Sequence, residues 1–212
     1  MGNRLSHIIA CVLLSCCPLA AQNWRDSLTT LHKQIELHPH STDLRLKKAA
    51  VNIELQQWEY AAEEYGRVLE LDGKNLAALY FRAYAYNHLR RYDLARSDYE
   101  RFLHILPRHF DARLGLAMTL RNLNRLQDTQ DQLNQIVEMF PDSALAYAAR
   151  ADFEQEQRLY ELALYDWDEA LSRSPRNAAF MRSKHEVLLA LRRYDEARRL
   201  QLELARMGYG VK

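Results

Sequence analysis

LAALYFRAYAYNHLRRYDLARSDYERFLHILPRH, residues Leu76–His109, is the stretch on which the fold turns. Its small residues Ala83 and Ala95 lie twelve apart, with the large Tyr86, Tyr99 and Phe102 beside them. Two antiparallel helices approach closely only where a small residue removes the side chain between them, and large residues then fill the space toward neighbouring pairs. Pro107 stops the second helix, because it brings no N–H and its ring collides with the preceding turn. The stretch reads as one helix–turn–helix hairpin. Such a hairpin buries its apolar face only against others of its kind, so copies are expected along the chain.

The copies follow a register of 34 residues with no insertion. Pro39, Gly73, Pro107, Pro141 and Pro175 share one column, and Ala61, Ala95, Thr129, Ala163 and Ala197 share another. Ala49, Ala83, Ala117 and Ala151 form a third, with His185 as the departure. Tyr65, Tyr99, Leu133 and Trp167 supply the large residue, replaced by Gln201 in the last copy. Trp58, Tyr92, Leu126, Tyr160 and Tyr194 mark one more column. Asn52 and Thr129 make the first and third copies the weaker matches.

Composition agrees. The 212 residues include only 6 Gly and 5 Pro, with 48% hydrophobic and 27% charged residues, the range of a globular protein rich in helix formers. No stretch sustains the strict alternation of a half-buried strand, so no sheet is expected. The formal net charge is +1, and residues 1–21 contain one charged side chain, Arg4. Without them 28 basic residues face 28 acidic ones, whereas a protein that holds phosphate backbones needs a basic surplus. Arg192, Arg193, Arg198 and Arg199 form a local basic stripe that reads as a solvated helix face.

Leu79, Ala83, Tyr86, Ala95, Tyr99, Phe102 and Pro107 occupy the signature positions of a tetratricopeptide repeat, which Leu76–His109 closely resembles. Ala144–Asn177 resembles it through Tyr147, Ala151, Ala163, Trp167, Ala170 and Pro175. The resemblance implies an all-α, right-handed superhelical solenoid of antiparallel helix pairs. Five repeats would occupy residues 42–75, 76–109, 110–143, 144–177 and 178–207, with a tail at 208–212. Ahead of them Trp24, Ser27, Leu31, Ile35 and Pro39 keep the register of a second helix, Trp24 aligning with Trp58. Residues 22–41 are therefore expected to form a lone N-terminal capping helix, which the end of a solenoid needs. No polar capping helix is evident at the other end, and an exposed end face offers a route to self-association. Gly208 is placed to stop the last helix and Tyr209 to fold back on it.

In this family the concave groove is lined by the first helix of each repeat. The corresponding positions here are Tyr80, Tyr84, Asn87 and His88; then Asp111, Leu114, Met118, Arg121 and Asn122; then Asp152, Gln155, Glu156, Arg182 and Glu186. The candidate partner-binding residues are Tyr80, Tyr84, Asn87, His88, Met118, Arg121, Asn122, Asp152, Gln155, Arg182 and Glu186. Tyr and Arg give large contact area and hydrogen bonding at low entropic cost, as peptide-binding surfaces do. The plainer reading of Tyr84 is packing on a neighbouring helix. Some family members clamp a C-terminal carboxylate with Lys and Asn, but Leu46, Ala50 and Phe81 stand at those positions, so that specialised role does not carry over.

The first residues read as an address. A polar start with Arg4 precedes the apolar run Ile8–Leu19, and Ala20–Ala21 supplies small residues before Gln22. That is the layout of a secretory signal peptide, cleaved after Ala21 or one residue earlier. The run is too short to span a bilayer of about 30 Å, and Pro18 interrupts it. Cys11, Cys16 and Cys17 all lie within it, which leaves the mature chain without a thiol. A second reading takes Leu13–Cys16 as a lipobox, with a lipid anchor at Cys16. Either way the product is exported in the bacterial manner, as a periplasmic or secreted protein or one lipid-anchored at Cys16.

Catalytic patterns are lacking. His185 and Glu186 begin a zinc-protease pattern, but its second histidine position holds Leu189. His38 and His40 flank a turn proline, and Asp166 and Asp168 flank Trp167 and point apart. No glycine-rich phosphate loop or Gly-x-Ser-x-Gly elbow occurs. Arg82, Arg150 and Lys184 fall on one repeat column and read as structural. The expected function is a non-catalytic protein–protein interaction scaffold, with a protein or peptide in its groove and no cofactor or metal. The alternatives are an assembly subunit using its convex face or C-terminal end, and a small-molecule or glycan binder using Tyr80 and Tyr84.

Overall fold

A computed structural model describes residues 18–209, with side chains from residue 23. Among the described residues there are eleven helices and no strand. Helix α1 (Pro18–Leu37) stands first, and five pairs follow. They are α2 (Thr42–Glu54) with α3 (Trp58–Leu71), α4 (Leu76–His88) with α5 (Tyr92–Ile105), and α6 (Phe110–Asn122) with α7 (Leu126–Met139). The last two are α8 (Ala144–Glu156) with α9 (Tyr160–Arg173), and α10 (Ala178–Ala190) with α11 (Tyr194–Arg206). Every pair starts 34 residues after the one before it. The expected leader falls largely outside the described residues, and its three cysteines entirely so. Helix α1 takes in Pro18–Gln22 as well as the expected Trp24–Leu37.

Local rules repeated five times set this geometry. Ser41, Asn75, His109, Ser143 and Asn177 cap the first helices, each side chain accepting from the backbone N–H three residues on. One N–H left without an intrahelical partner is thereby satisfied in each pair. Two residues beyond the end of every first helix stands a residue of positive φ: Gln56, Arg90, Asn124, Arg158 and Arg192, at 56 to 63°. The next residue's N–H returns to a carbonyl five back, as Arg91 does to Tyr86 at 2.8 Å. This closure forces a left-handed residue whatever its side chain.

The turns between pairs are tied differently. The carbonyls of Pro39, Gly73, Pro107 and Pro141 each accept from an arginine: Arg45 at 3.0 Å, Arg101 at 2.9 Å, Arg113 at 2.6 Å and Arg173 at 2.7 Å.

The chain divides into two compact units between Phe102 and Leu103. In the first, Ala49, Ala61, Tyr65, Val68, Ala78 and Ala85 form one core, with α1 packed on α2 through the buried Ile35. In the second, Ala117, Leu133, Ile136, Ala146 and Phe153 form one cluster. Ala151, Ala163, Trp167, Phe180, Leu188 and Ala197 form another. The alanine columns are therefore buried as expected, and His185 is buried with them. Thr129 is buried at an alanine position because its hydroxyl donates to the Arg125 carbonyl at 2.9 Å.

The last repeat departs from the sequence reading. Gln201 stands on a core column but is exposed, with no helix after α11 among the described residues to cover it. Asp195, Arg198, Arg199, Glu203 and Arg206 are exposed around it, together with Tyr194 and Leu202. Gly208 does end it, at φ 83°, and the Tyr209 N–H bonds the Leu204 carbonyl at 2.8 Å.

Candidate functional site

The residues expected to face a partner lie in both units. In the first unit they stand on α4. Tyr84 is half-buried, edge-on to Trp58 at 5.9 Å and to His88 at 4.7 Å between ring centroids. Trp58 and His88 stack at 3.9 Å with only 4° between their planes. One turn earlier Tyr80 packs against Phe81, Tyr99 and Phe102. Asn87 bonds the hydroxyl of Tyr99, which is 2% exposed. Tyr84 thus does pack on a neighbouring helix, as its plainer reading has it, and keeps part of its ring in solvent. Burial raises its pKa, with a further push from the Glu54 carboxylate. Burial lowers that of His88, which favours the neutral ring.

In the second unit the candidates stand on α6, α8 and α10. Arg121 reaches Asp152 at 3.2 Å and Glu156 at 3.1 Å. Gln155 donates to Glu186 at 3.4 Å and accepts from the Trp167 indole at 3.3 Å. Burial is the main cause that lifts the Asp152 carboxyl to about 6; Arg121 opposes it, and Glu156 and Glu186 add to it. One guanidinium therefore serves several acids. Met118 is partly buried and Asn122 exposed on the same helix. Arg182 stands apart from Arg121, with its guanidinium 5.5 Å from the ring centre of Tyr209 at the chain's end.

Other residues singled out from the sequence have structural partners. Arg82 grips Asp98 through two bonds of 2.7 and 2.8 Å, and Arg150 grips Asp166 through two of 2.6 and 2.8 Å. Lys48 occupies the same place toward Glu64 at 2.7 Å. In the third pair that column holds Leu116 and the acid column Gln132, so cation and anion are lost together. Asp168 instead pairs with Lys184, which separates it from Asp166. Among the described residues no group of three His, Cys, Asp or Glu is placed to hold a metal ion. No described helix is long and apolar enough to cross a membrane.

Sequence reading missed two features. Trp58 was read as a packing column, yet it stacks on a candidate binding residue, an arrangement no spacing rule signals. Glu154, one residue from Gln155, is 4% exposed with its Oε2 unpartnered. It lies on the column of Asn52, Tyr86, Leu120 and Leu188, so its mismatch with apolar neighbours is readable once the columns are drawn.

Comparisons with known proteins agree with this geometry. Two family models, both described as tetratricopeptide repeat, match residues 46–110 and 88–153, which together span just over half of the chain. The DnaJ homolog subfamily C member 7 homolog of Dictyostelium discoideum is 22% identical across 81% of this chain. The match takes in only 41% of that relative's length. Among solved structures, pilF of Pseudomonas aeruginosa superposes with a TM-score of 0.69 at 19% identity, over 89% of this chain and 86% of that one. YrrB, described as a TPR protein with an unusual peptide-binding site, gives 0.62 at 18% identity, over 81% and 88%. At such identities the structural likeness speaks for the all-α helical-repeat solenoid and for nothing finer.

Proposed function

Because the chain belongs to the tetratricopeptide-repeat family, we propose that it is a non-catalytic scaffold that holds a segment of a partner protein on its first-helix faces. Interaction with proteins is the general work of this family. Peptide binding by the related YrrB is in keeping with the finer reading. The observation that carries it is the character of these faces. The first helices α4, α6, α8 and α10 leave Tyr84, His88, Arg121, Glu156 and Glu186 partly or fully in solvent, beside the alanines that the same helices bury. Aromatic rings and charges held by their neighbours bind with little loss of side-chain freedom.

The place of action proposed is the bacterial envelope, reached through the signal-like residues 1–21. Fractionation of the native host tests it: recovery of the full-length chain from the cytoplasm alone would remove the envelope from the reading.

The binding reading is tested by affinity capture of the chain from its native host, followed by mass spectrometry. The comparison is a Tyr84→Ala, Arg121→Ala double variant shown by circular dichroism to keep its helices. Loss of the captured partner in the variant supports binding through these faces. Equal capture by both forms would move the contact to another face and make the protein an assembly subunit.

A further inference from the structure

We propose that Trp58, Tyr84 and His88, with the carboxylate of Glu54, form a subsite for an arginine side chain of the partner. The inference rests on the first-helix face being the binding face, and it names what the first unit recognises there.

Three elements supply the subsite. Glu54 is the last residue of α2, Trp58 is the first of α3, and Tyr84 and His88 lie one turn apart on α4. The stacked indole and imidazole form a flat double layer, and Tyr84 closes one side of it edge-on. Trp58 and Tyr84 keep part of their surface in solvent, and His88 is exposed.

The charge pattern selects the occupant. A π-face attracts a cation, and among side chains the planar, weakly hydrated guanidinium stacks best on such a surface. Glu54 is exposed, makes no ion pair among the described residues, and lies near enough to act on the Tyr84 hydroxyl. Its charge is thus available to an incoming cation. Partial desolvation of the His88 ring, which lies against Trp58 and Tyr84, favours its neutral form.

The test is a titration of the full chain with N-acetyl-arginine amide, followed by NMR at the indole N–H resonances of Trp24, Trp58 and Trp167. N-acetyl-citrulline amide, equal in shape but uncharged, is the control. The expected result is a saturable shift confined to Trp58, at least fivefold weaker with citrulline. Glu54→Gln, an exposed change that leaves the fold intact, should weaken arginine binding at least threefold. Equal response to citrulline, unchanged binding by Glu54→Gln, or equal shifts at all three tryptophans would overturn the subsite. Should the subsite fail while partner capture is still lost in the Tyr84→Ala, Arg121→Ala variant, the broader binding reading stands. Should capture be unaffected while Trp58 still binds arginine, the broader reading fails instead.

Discussion

Glu154→Gln should stabilise the protein at pH 8 and do almost nothing at pH 4.5. Glu154 and Asp166 both lie near Arg150, whose fork is taken by Asp166, while the Glu154 carboxylate is left 4.0 Å away. Burial, then the charge of Asp166, raise the Glu154 carboxyl from 4.5 to about 7, against the pull of Arg150 and a hydrogen bond with Gln130. The sign follows from proton counting. Below pH 4.5 the group is protonated in both folded and unfolded chains and contributes nothing. Between 4.5 and 7 the unfolded chain releases its proton while the folded chain retains it, so stability falls as pH rises. Above 7 the full penalty stands, an upper figure of about 3 kcal/mol for a displacement of this size. Water entering around a residue so near the surface reduces that to roughly 1–2 kcal/mol. Gln keeps the shape, exchanges one acceptor oxygen for an NH2 donor, and never ionises. The variant should melt roughly 2–8 °C above the parent at pH 8, given about 2–4 °C per kcal/mol for a chain of this size. Thermal melts by circular dichroism from pH 4.5 to 8 read the difference directly. Equal melting temperatures at pH 8, or a gain of the same size at pH 4.5, would refute the reasoning.

Arg158→Gly should raise stability by about 0.5–1 kcal/mol, because φ 63° strains every residue but glycine; a lower urea midpoint would contradict this. Gln132→Glu should add about 1–2 kcal/mol by giving the buried Arg113, now bonded to Gln132 at 3.3 Å and Gln135 at 3.0 Å, the kind of counter-ion Arg45 finds in Glu64. Salt titration of the urea midpoint should show the gain shrinking only modestly, since the pair is sheltered. Trp167→Ala should cost about 3–5 kcal/mol, read from the urea midpoint, because the ring is 3% exposed and packs on Phe180. Ala95→Leu should cost about 1–3 kcal/mol by the same measurement, through overpacking at a position with no exposed surface.

The repeat was legible because close helix packing admits few residue types at few places, so alanines and aromatics announce it. The caps Ser41, Asn75, Ser143 and Asn177 emerge only in the structure, although each is a residue type whose side chain accepts a helix N–H; His109 disguises the column. The left-handed residues were not legible either. Gln56, Arg90, Asn124, Arg158 and Arg192 share no chemistry that signals positive φ; closure of the turn imposes it. On the candidate faces, the sequence placed Tyr84, His88 and Arg121 on first helices. It could not say that His88 lies flat on Trp58, or that Asp152 and Glu156 hold Arg121, because each contact joins different helices. Gln201 misled for a related reason: a core column is buried only where a further helix packs on it.

The arginines on the turn carbonyls bear on how such an array grows and shrinks. Arg45, Arg101, Arg113 and Arg173 each belong to the helix pair that follows the turn they fasten. They come from three different columns, so the bond is conserved in place while its donor is free to change. The first four pairs consequently each carry their own clasp for whatever precedes them. Excision of residues 110–143 would bring the Pro107 carbonyl to the same distance along the chain from Arg173 that Pro141 now has. Gene-level loss or duplication of one of these four 34-residue cassettes would then leave its junction fastened, which lets such a protein change length without repairing those seams.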